Sequence, residues 1–277
     1  MHTMISDGTD NPAEIIVKVR DAGIDLFSVT DHDAIRACDV IRGLLTDGDP
    51  LFISGIEFSC RDELGKYHIL GYGYDPESSA MRSMVNYGHA QRIEKLGLRL
   101  ERLRERFGFT FSAKDISELY SFNNPGKPHL ANLMVRYGYA ESRDQAFSEY
   151  LNKFKFPNVF IRPEMAVDAI LKSGGIPVLA HPSYGSGDEL IIGDEMEDRL
   201  KRLIGMGIQG VEAFYSGFSE KLQAEMLKFA EKYNLYVTAG SDYHGRNKLI
   251  ELGDNNLDDI SRSPEGLRRF LSDVQLR

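Results

Sequence analysis

Six short β-forming runs, each ending in residues that carry chemistry, limit what this chain can become. They are "DLFSVTDHD", "LFISGIEFSC", "KYHILGYGY", "GIPVLAHPS", "IQGVEAFYS" and "LYVTAGSDYH". Helical patterns separate several of them, among them "DAIRACDVIRGLL", "PEMAVDAILKSGG" and "SEKLQAEMLKFAEKYN". Strands alternating with crossover helices favour a parallel barrel or a doubly wound sheet, and both place their active sites at the carboxyl ends of the strands. One more helix is expected from "DNPAEIIVKVRDAGID". There Asn11 caps, Pro12 takes the first turn, Glu14 closes a capping box and Gly23 ends the run.

The alternation breaks between about Pro76 and Phe156, where "MRSMVNYGHAQRIEKLGLRLERLRERFG" predicts a long helix and "AKDISELYS", "PHLANLMVRYG" and "SRDQAFSEYLNKF" predict shorter ones. Residues 76–156 therefore read as a helical insertion, and residues 1–75 and 157–277 as the surrounding α/β unit. With 277 residues, 42% of them hydrophobic, the chain can bury a full core. No low-complexity linker separates the insertion, so it is expected to pack beside the sheet.

A net charge of −9 gives no global attraction for nucleic acid or anionic membrane. An anionic substrate must be drawn by a local basic patch or by bound metal. Cys38 and Cys60 are too few for a disulfide framework and lack zinc-module spacing, which fits a reducing compartment. No apolar run reaches membrane-spanning length and no secretory leader opens the sequence, so a soluble cytoplasmic protein is expected.

Five of the seven histidines stand in strand-end motifs: His2 in "HTMISDG", His32 in "TDHD", His68 in "YHILGY", His181 in "LAHP" and His244 in "GSDYH". Strand ends converge in space, so these residues can meet despite their separation in sequence. With Asp7, Glu57 and Asp242 they make eight candidate ligands, enough for more than one ion and for a bridging carboxylate. Imidazole and carboxylate without thiolate suit Zn, Mn or Fe. No Walker-type loop or nucleophile elbow is present.

The ordered series "HTMISDGT", "TDHD", "GIEFSC", "YHILGY", "VLAHP" and "GSDYHG" resembles the polymerase and histidinol phosphatase (PHP) family of metal-dependent phosphoesterases. The stretch "GKPHLANLMVRYGYAESRDQAFSEYL" resembles the insertion of the subgroup acting on nucleotides and short RNA. The resemblance implies a distorted seven-stranded (β/α) barrel holding two or three divalent ions. His2, Glu57 and Asp242 would hold the first ion, Glu57, His68 and His181 the second, and Asp7, His32 and His244 the third, with Glu57 as the bridge. The family opens with His-x-His before "SDG", and His2, four residues before Ser6, matches the second histidine. The first would stand just upstream of Met1, which leaves the first strand truncated and the first ion one ligand short. A gapped match would instead make His2 the first histidine and put Met4 in place of the second.

Asp31 and Asp33 flank His32 and are expected to support a metal-bound imidazole or move a proton; Asp33 and His181 are the catalytic candidates. Lys127 and His129 stand in "GKPH", where the subgroup usually has "GRPH" and is thought to grip substrate phosphate. Lysine keeps the charge without the bidentate fork. Arg92, Lys95, Arg99, Arg102 and Arg106 recur at helical spacing. That stripe either attracts a polynucleotide, with Arg92 as a substrate contact, or is a solvated face neutralised by Glu94, Glu101 and Glu105.

The implied activity is hydrolysis of the 3′-phosphate of nucleoside 3′,5′-bisphosphates, or of short RNA from its 5′ end, by a hydroxide bridging the metals. A nucleotide or short oligonucleotide is then a transient substrate, with neither a stable nucleic-acid complex nor a membrane partner. The alternatives are a small-molecule phosphatase of histidinol-phosphatase type and a non-catalytic metal-binding protein.

Overall fold

All six β-forming runs become strands in the computed structural model, which describes residues 1–156, 159–184, 190–257 and 263–276. They are β1 (Leu26–Val29), β2 (Leu51–Asp62), β3 (Gly65–Tyr72), β4 (Ile176–Leu179), β5 (Gly210–Tyr215) and β6 (Tyr236–Gly240). Together they form one sheet in chain order. Parallel pairing joins β1 to β2, β4 to β5 and β5 to β6. β3 runs antiparallel to both neighbours. Only Glu63 and Leu64 separate β2 from β3, too short for a crossover, so a hairpin is forced. Asp62 Oδ1 closes that turn by accepting from the N–H groups of Leu64 and Gly65 at 2.9 and 3.1 Å.

In place of the expected seven-stranded barrel, the described residues form a six-stranded mixed sheet, curled into a half-barrel with β1 and β6 as its edges. Among the described residues, Met1 and His2 bridge β1 to the segment that follows β6. Thr30 N–H donates to Met1 O at 2.9 Å, and His2 N–H donates to Tyr243 O at 2.8 Å.

Helices α1 (Pro12–Asp21) and α2 (Arg36–Leu44) cover β1 and the start of β2, burying Ile15, Val19 and Ile41 against Phe27, Val29 and Phe52. The capping box forms as the sequence reads: Asn11 Oδ1 accepts from Glu14 N–H at 3.0 Å, and Glu14 Oε2 accepts from Asn11 N–H at 2.8 Å. The 29-residue α3 (Ser79–Phe107) serves two cores. Its Met81 and Met84 pack into the sheet's core, whereas Leu96 and Leu103 join a separate cluster with Leu119 of α4 (Ala113–Ser121) and Leu130 of α5 (Lys127–Arg136). A short α6 (Arg143–Gln145) continues through π and 3-10 turns to Lys153. The boundary expected at 157 lies outside the described residues.

The remaining helices, α7 (Pro163–Lys172), α8 (Gly193–Gly205), α9 (Glu220–Lys232) and α10 (Glu265–Asp273), back the rest of the sheet. Of these, α8 and α10 are additions to the sequence reading. In α8 the signal was Met196, Leu200 and Leu203 at helical spacing, all buried. Among the described residues, no helix is long and apolar enough to cross a membrane.

Candidate metal centre

The strand ends deliver the titratable residues to one rim. Glu57 lies within β2 and His68 within β3; His32, His181, Asp242 and His244 follow β1, β4 and β6. Three rim residues turn the chain back sharply: Asp33, His181 and Asp242 have φ of 50°, 27° and 54°. That left-handed backbone is uncommon outside glycine, although Asp and His adopt it more readily than most residues, and such conformations collect where side-chain aim matters.

His2 and Asp7 come from an N-terminal loop that Asp31 fixes. The buried Asp31 carboxylate accepts from Thr3 N–H and Thr3 Oγ1, each at 2.7 Å, and from Ser6 Oγ at 2.6 Å. Three such bonds to one buried carboxylate make it an anchor. Met4 points away and is 60% exposed, while His2 is 1% exposed, so His2 and not Met4 faces the rim.

Three groups have donor atoms within 4.8 Å of one another: His2, Asp7, His32 and His244; His32, Glu57 and His68; and His2, Glu57 and Asp242. His2 Nε2 lies 2.9 Å from Glu57 Oε2 and 3.2 Å from Asp242 Oδ1. On the other side of Glu57, Oε1 is 2.6 Å from His68 Nδ1 and 3.3 Å from His181 Nε2. His181 also stands 3.1 Å from His68 Nδ1, though it belongs to none of the three groups. His244 Nε2 faces Asp7 Oδ1 at 3.3 Å, and its Nδ1 lies 2.7 Å from the Asp242 carbonyl. All eight candidate ligands thus share one rim.

The electrostatics suit cations. Burial alone would raise the pKa of Glu57, but the neighbouring histidines hold it well below the carboxylate range; the same holds for Asp7. Burial opposes protonation of His2, yet Asp242 and Glu57 outweigh it and raise His2 to about 10. Three carboxylates that bind a proton this tightly would bind divalent ions in its place. His2 Nδ1 is buried without a hydrogen-bond partner, 3.6 Å from Asp7 Oδ1. The nitrogen and oxygen donor set fits Zn, Mn or Fe.

Three supporting residues were not foreseen. Lys248 Nζ and Tyr215 Oη both bind Asp242 Oδ2, leaving Oδ1 toward His2. Glu212, fully buried in β5, accepts the His181 N–H at 2.8 Å, and burial lifts its pKa to about 7. Gly240 makes room for it, since a Cβ there would stand 2.2 Å from Glu212 Oε1. The available signal was a lone acid within the otherwise apolar run "GVEAFY".

Beside the rim, Asp33 does not stand free for proton transfer. Its Oδ1 accepts Ser59 N–H at 2.9 Å and its Oδ2 accepts Arg92 Nε at 2.6 Å, while Arg92 Nη2 donates to Ser59 Oγ at 3.0 Å. A cavity of about 180 Å³ has Asp7 and His32 on one side and Arg92, Lys95, Arg99 and Lys127 on the other. The basic stripe is therefore divided. Arg102 pairs with Glu105 on the solvent side at 3.2 Å, whereas half-buried Lys95 and Arg99 line the cavity. Arg99 Nε has no hydrogen-bond partner and its guanidinium lies over Phe156 at 5.7 Å. Burial and neighbouring cations push Lys95 and Lys127 down to about 8. Lys127 Nζ donates to Asn152 Oδ1 at 2.6 Å. His129 turns from the cavity: its Nδ1 accepts Gly126 N–H at 3.3 Å and its ring stacks on Phe122 at 4.5 Å.

No family model matches the chain. It is 26% identical over 259 residues to a 5′-3′ exoribonuclease of Haemophilus influenzae, covering 92% of each chain. It is 27% identical over 253 residues to a 3′,5′-nucleoside bisphosphate phosphatase of Chromobacterium violaceum, covering 88% of this chain and 85% of the relative. A solved structure from Bifidobacterium adolescentis, assigned as a metal-dependent phosphoesterase, superimposes with a TM-score of 0.81 at 28% identity, over 98% of this chain and 94% of that one.

Proposed function

We propose that the chain is a PHP-like metal-dependent phosphoesterase with a nucleotide substrate: a nucleoside 3′,5′-bisphosphate, or short RNA taken from its 5′ end. The carrying observation is the cavity that joins the rim to four cations in an otherwise acidic protein. Among the described residues only Arg92 of the four has a salt bridge, to Asp33. Half-buried like charges without counterions favour an anion between them. Four cations exceed what one phosphomonoester needs, which favours a substrate with two phosphates over a histidinol-type one.

In this reading His2, Asp7, His32, Glu57, His68, His181, Asp242 and His244 hold two or three divalent ions, with Glu57 shared between groups. Such ions supply Lewis acidity toward phosphate oxygens and make water a better nucleophile at neutral pH. Arg92 and Lys127 bind the phosphate from the opposite side. Asp33 is a positioning residue for Arg92, because both its oxygens are engaged. His181 is a ligand whose backbone is held by Glu212. The insertion, 76–156, works as a cap that brings the cations to the rim, and His129 shapes its turn.

The test is release of phosphate from adenosine 3′,5′-bisphosphate, and of nucleotides from 5′-phosphorylated short RNA, by protein loaded with Mn²⁺. Turnover of one is expected, with histidinol phosphate a poor substrate. If the loaded protein hydrolyses neither nucleotide, the reading fails.

A further inference from the structure

The site face of the sheet continues past the rim along the hairpin of β2 and β3, in residues the metal centre does not use. Side chains on a strand alternate between two faces. On β2 the buried Phe58, Cys60 and Asp62 alternate with half-buried Ser59 and Arg61. Ser59 marks the face that looks to the rim, because its Oγ lies 3.3 Å from His32 Nδ1 and accepts Arg92 Nη2 at 3.0 Å. Arg61 shares that face, and the register sets Ser59 opposite His68 and Arg61 opposite Lys66. Two cations thus stand directly across the hairpin from each other, next along from His68 on the same face.

Like charges directly opposite each other in a sheet repel and destabilise it. Among the described residues neither Arg61 nor Lys66 has a salt bridge; the acids next to them in the hairpin are taken, Asp62 by Arg202 at 2.6 Å and Glu63 by Arg162 at 3.0 Å. The pair also adjoins the basic cavity. Arg61 N–H donates at 2.8 Å to the carbonyl of Ile161, a lining residue of that cavity. After burial, Arg61 is among the cations that depress Lys95, and Lys66 among those that depress Lys127.

We propose that Arg61 and Lys66 form a phosphate subsite at the outer end of the cavity, taking the third phosphate of a single-stranded oligonucleotide whose first lies at the metal rim and whose second lies among the cavity's cations. On the nucleotide reading above, on which this rests, the substrate narrows from a mononucleotide to a chain. Length is what discriminates. Arg61 stands four residues beyond Glu57 on β2, about 14 Å along an antiparallel strand. A nucleoside 3′,5′-bisphosphate has one sugar between its two phosphates and falls short of that span, whereas two successive sugar-phosphate repeats cover it. The pair suits one phosphate held between the strands, with the guanidinium supplying a directional fork and the ammonium a point charge. Contact is to the backbone alone, so every base is accepted there.

The test measures binding of a phosphorothioate-linked, 5′-phosphorylated tetra-adenylate, which resists hydrolysis, to the Mn²⁺-loaded protein as salt is varied. For a single strand each phosphate contact contributes about 0.7 to the steepness of log affinity against log salt. Arg61→Ser/Lys66→Ser is expected to reduce that steepness by about 1.4, and Lys221→Ser/Lys228→Ser, the same charge change at exposed positions of α9, by less than half as much. In the hairpin variant, kcat/KM for 5′-phosphorylated tri-adenylate should fall roughly tenfold more than that for adenosine 3′,5′-bisphosphate. Arg61→Glu sets an acid opposite Lys66, so it should weaken the oligonucleotide further while raising the melting temperature, which tells lost binding from unfolding. A salt dependence no shallower in the hairpin variant than in the α9 variant, or equal losses on the two substrates, would overturn the subsite. Turnover of neither substrate by the parent protein would sink the nucleotide reading instead, and the salt dependence alone would then decide the subsite.

Discussion

Arg92 Nε lies 2.6 Å from Asp33 Oδ2, so the residue that follows His32 in sequence fixes the cation that faces His32 across the cavity. One turn of chain therefore aims both a candidate metal ligand and a candidate phosphate contact. Replacing Asp33→Asn removes a charge-assisted bond worth about 1.5–3 kcal/mol in typical cases. The expected outcome is a KM for nucleotide substrates raised roughly tenfold or more, with metal content unchanged. Steady-state kinetics and metal analysis on the same preparation check it; loss of metal in Asp33→Asn would show that Asp33 acts on the ions instead.

Glu57 is the residue on which metal stoichiometry should turn. It belongs to two of the three donor groups, whereas Asp7 belongs to one. Glu57→Gln is expected to lose at least one ion more than Asp7→Asn, and to lower turnover by about a hundredfold or more, as removal of a principal electrostatic group does. Elemental analysis of both variants after equilibration with Mn²⁺ measures the difference. Equal stoichiometry in the two would count against a bridging role.

Much of this was legible in the sequence, and the reasons differ by feature. The strands announced themselves because each is a short β-branched run closed by polar residues, and the first helix because Asn11 and Glu14 form a reciprocal cap. The His and Asp positions followed from the rule that strand ends converge. The curl of the sheet into a half-barrel was not legible, since it depends on how the strands twist and pair in space. The six-stranded order among the described residues appears only through the pairing of the strands. The basic stripe stayed open between two readings because spacing gives a helix face but not what lies opposite it: Lys95 and Arg99 meet a cavity wall, while Arg102 meets solvent. Glu212 was hidden inside an apolar run, and its task depends on where β4 ends beside β5.

Phosphate affinity should depend on pH with a sign set by the lysines. Burial, then neighbouring cations, depress Lys95 and Lys127 to about 8, from an ordinary value near 10.5. An anion binds the protonated forms, so affinity for inorganic phosphate is expected to fall as pH rises through about 8. Stability of the ligand-free protein should move the other way. Between about pH 8 and 10.5 the unfolded chain holds more protons than the folded one, so stability rises with pH there. Calorimetric titration from pH 7 to 9.5, with Lys95→Met as the flattened control, measures the first effect. An affinity that stays level across this window would argue that the lysines do not meet the anion.

The last prediction separates the insertion from the sheet. Leu103 and Leu130 are fully buried in a cluster that shares no residue with the sheet's core, while the same α3 sends Met81 and Met84 into that core. Leu103→Ala removes buried volume and is expected to cost about 2–5 kcal/mol where the surroundings cannot collapse. Because the cavity's cations ride on α3 and α5, loosening their packing should blur the phosphate contacts before it disturbs the rim. The expected result is faster hydrogen exchange across residues 96–134, a raised KM for nucleotide substrates, and full metal content. Met81→Ala, on the same helix but in the other core, should instead speed exchange in β2 and β3. If Leu103→Ala and Met81→Ala gave the same exchange pattern, the two cores would have to be one cooperative unit, and the insertion could not work as a separately mobile cap.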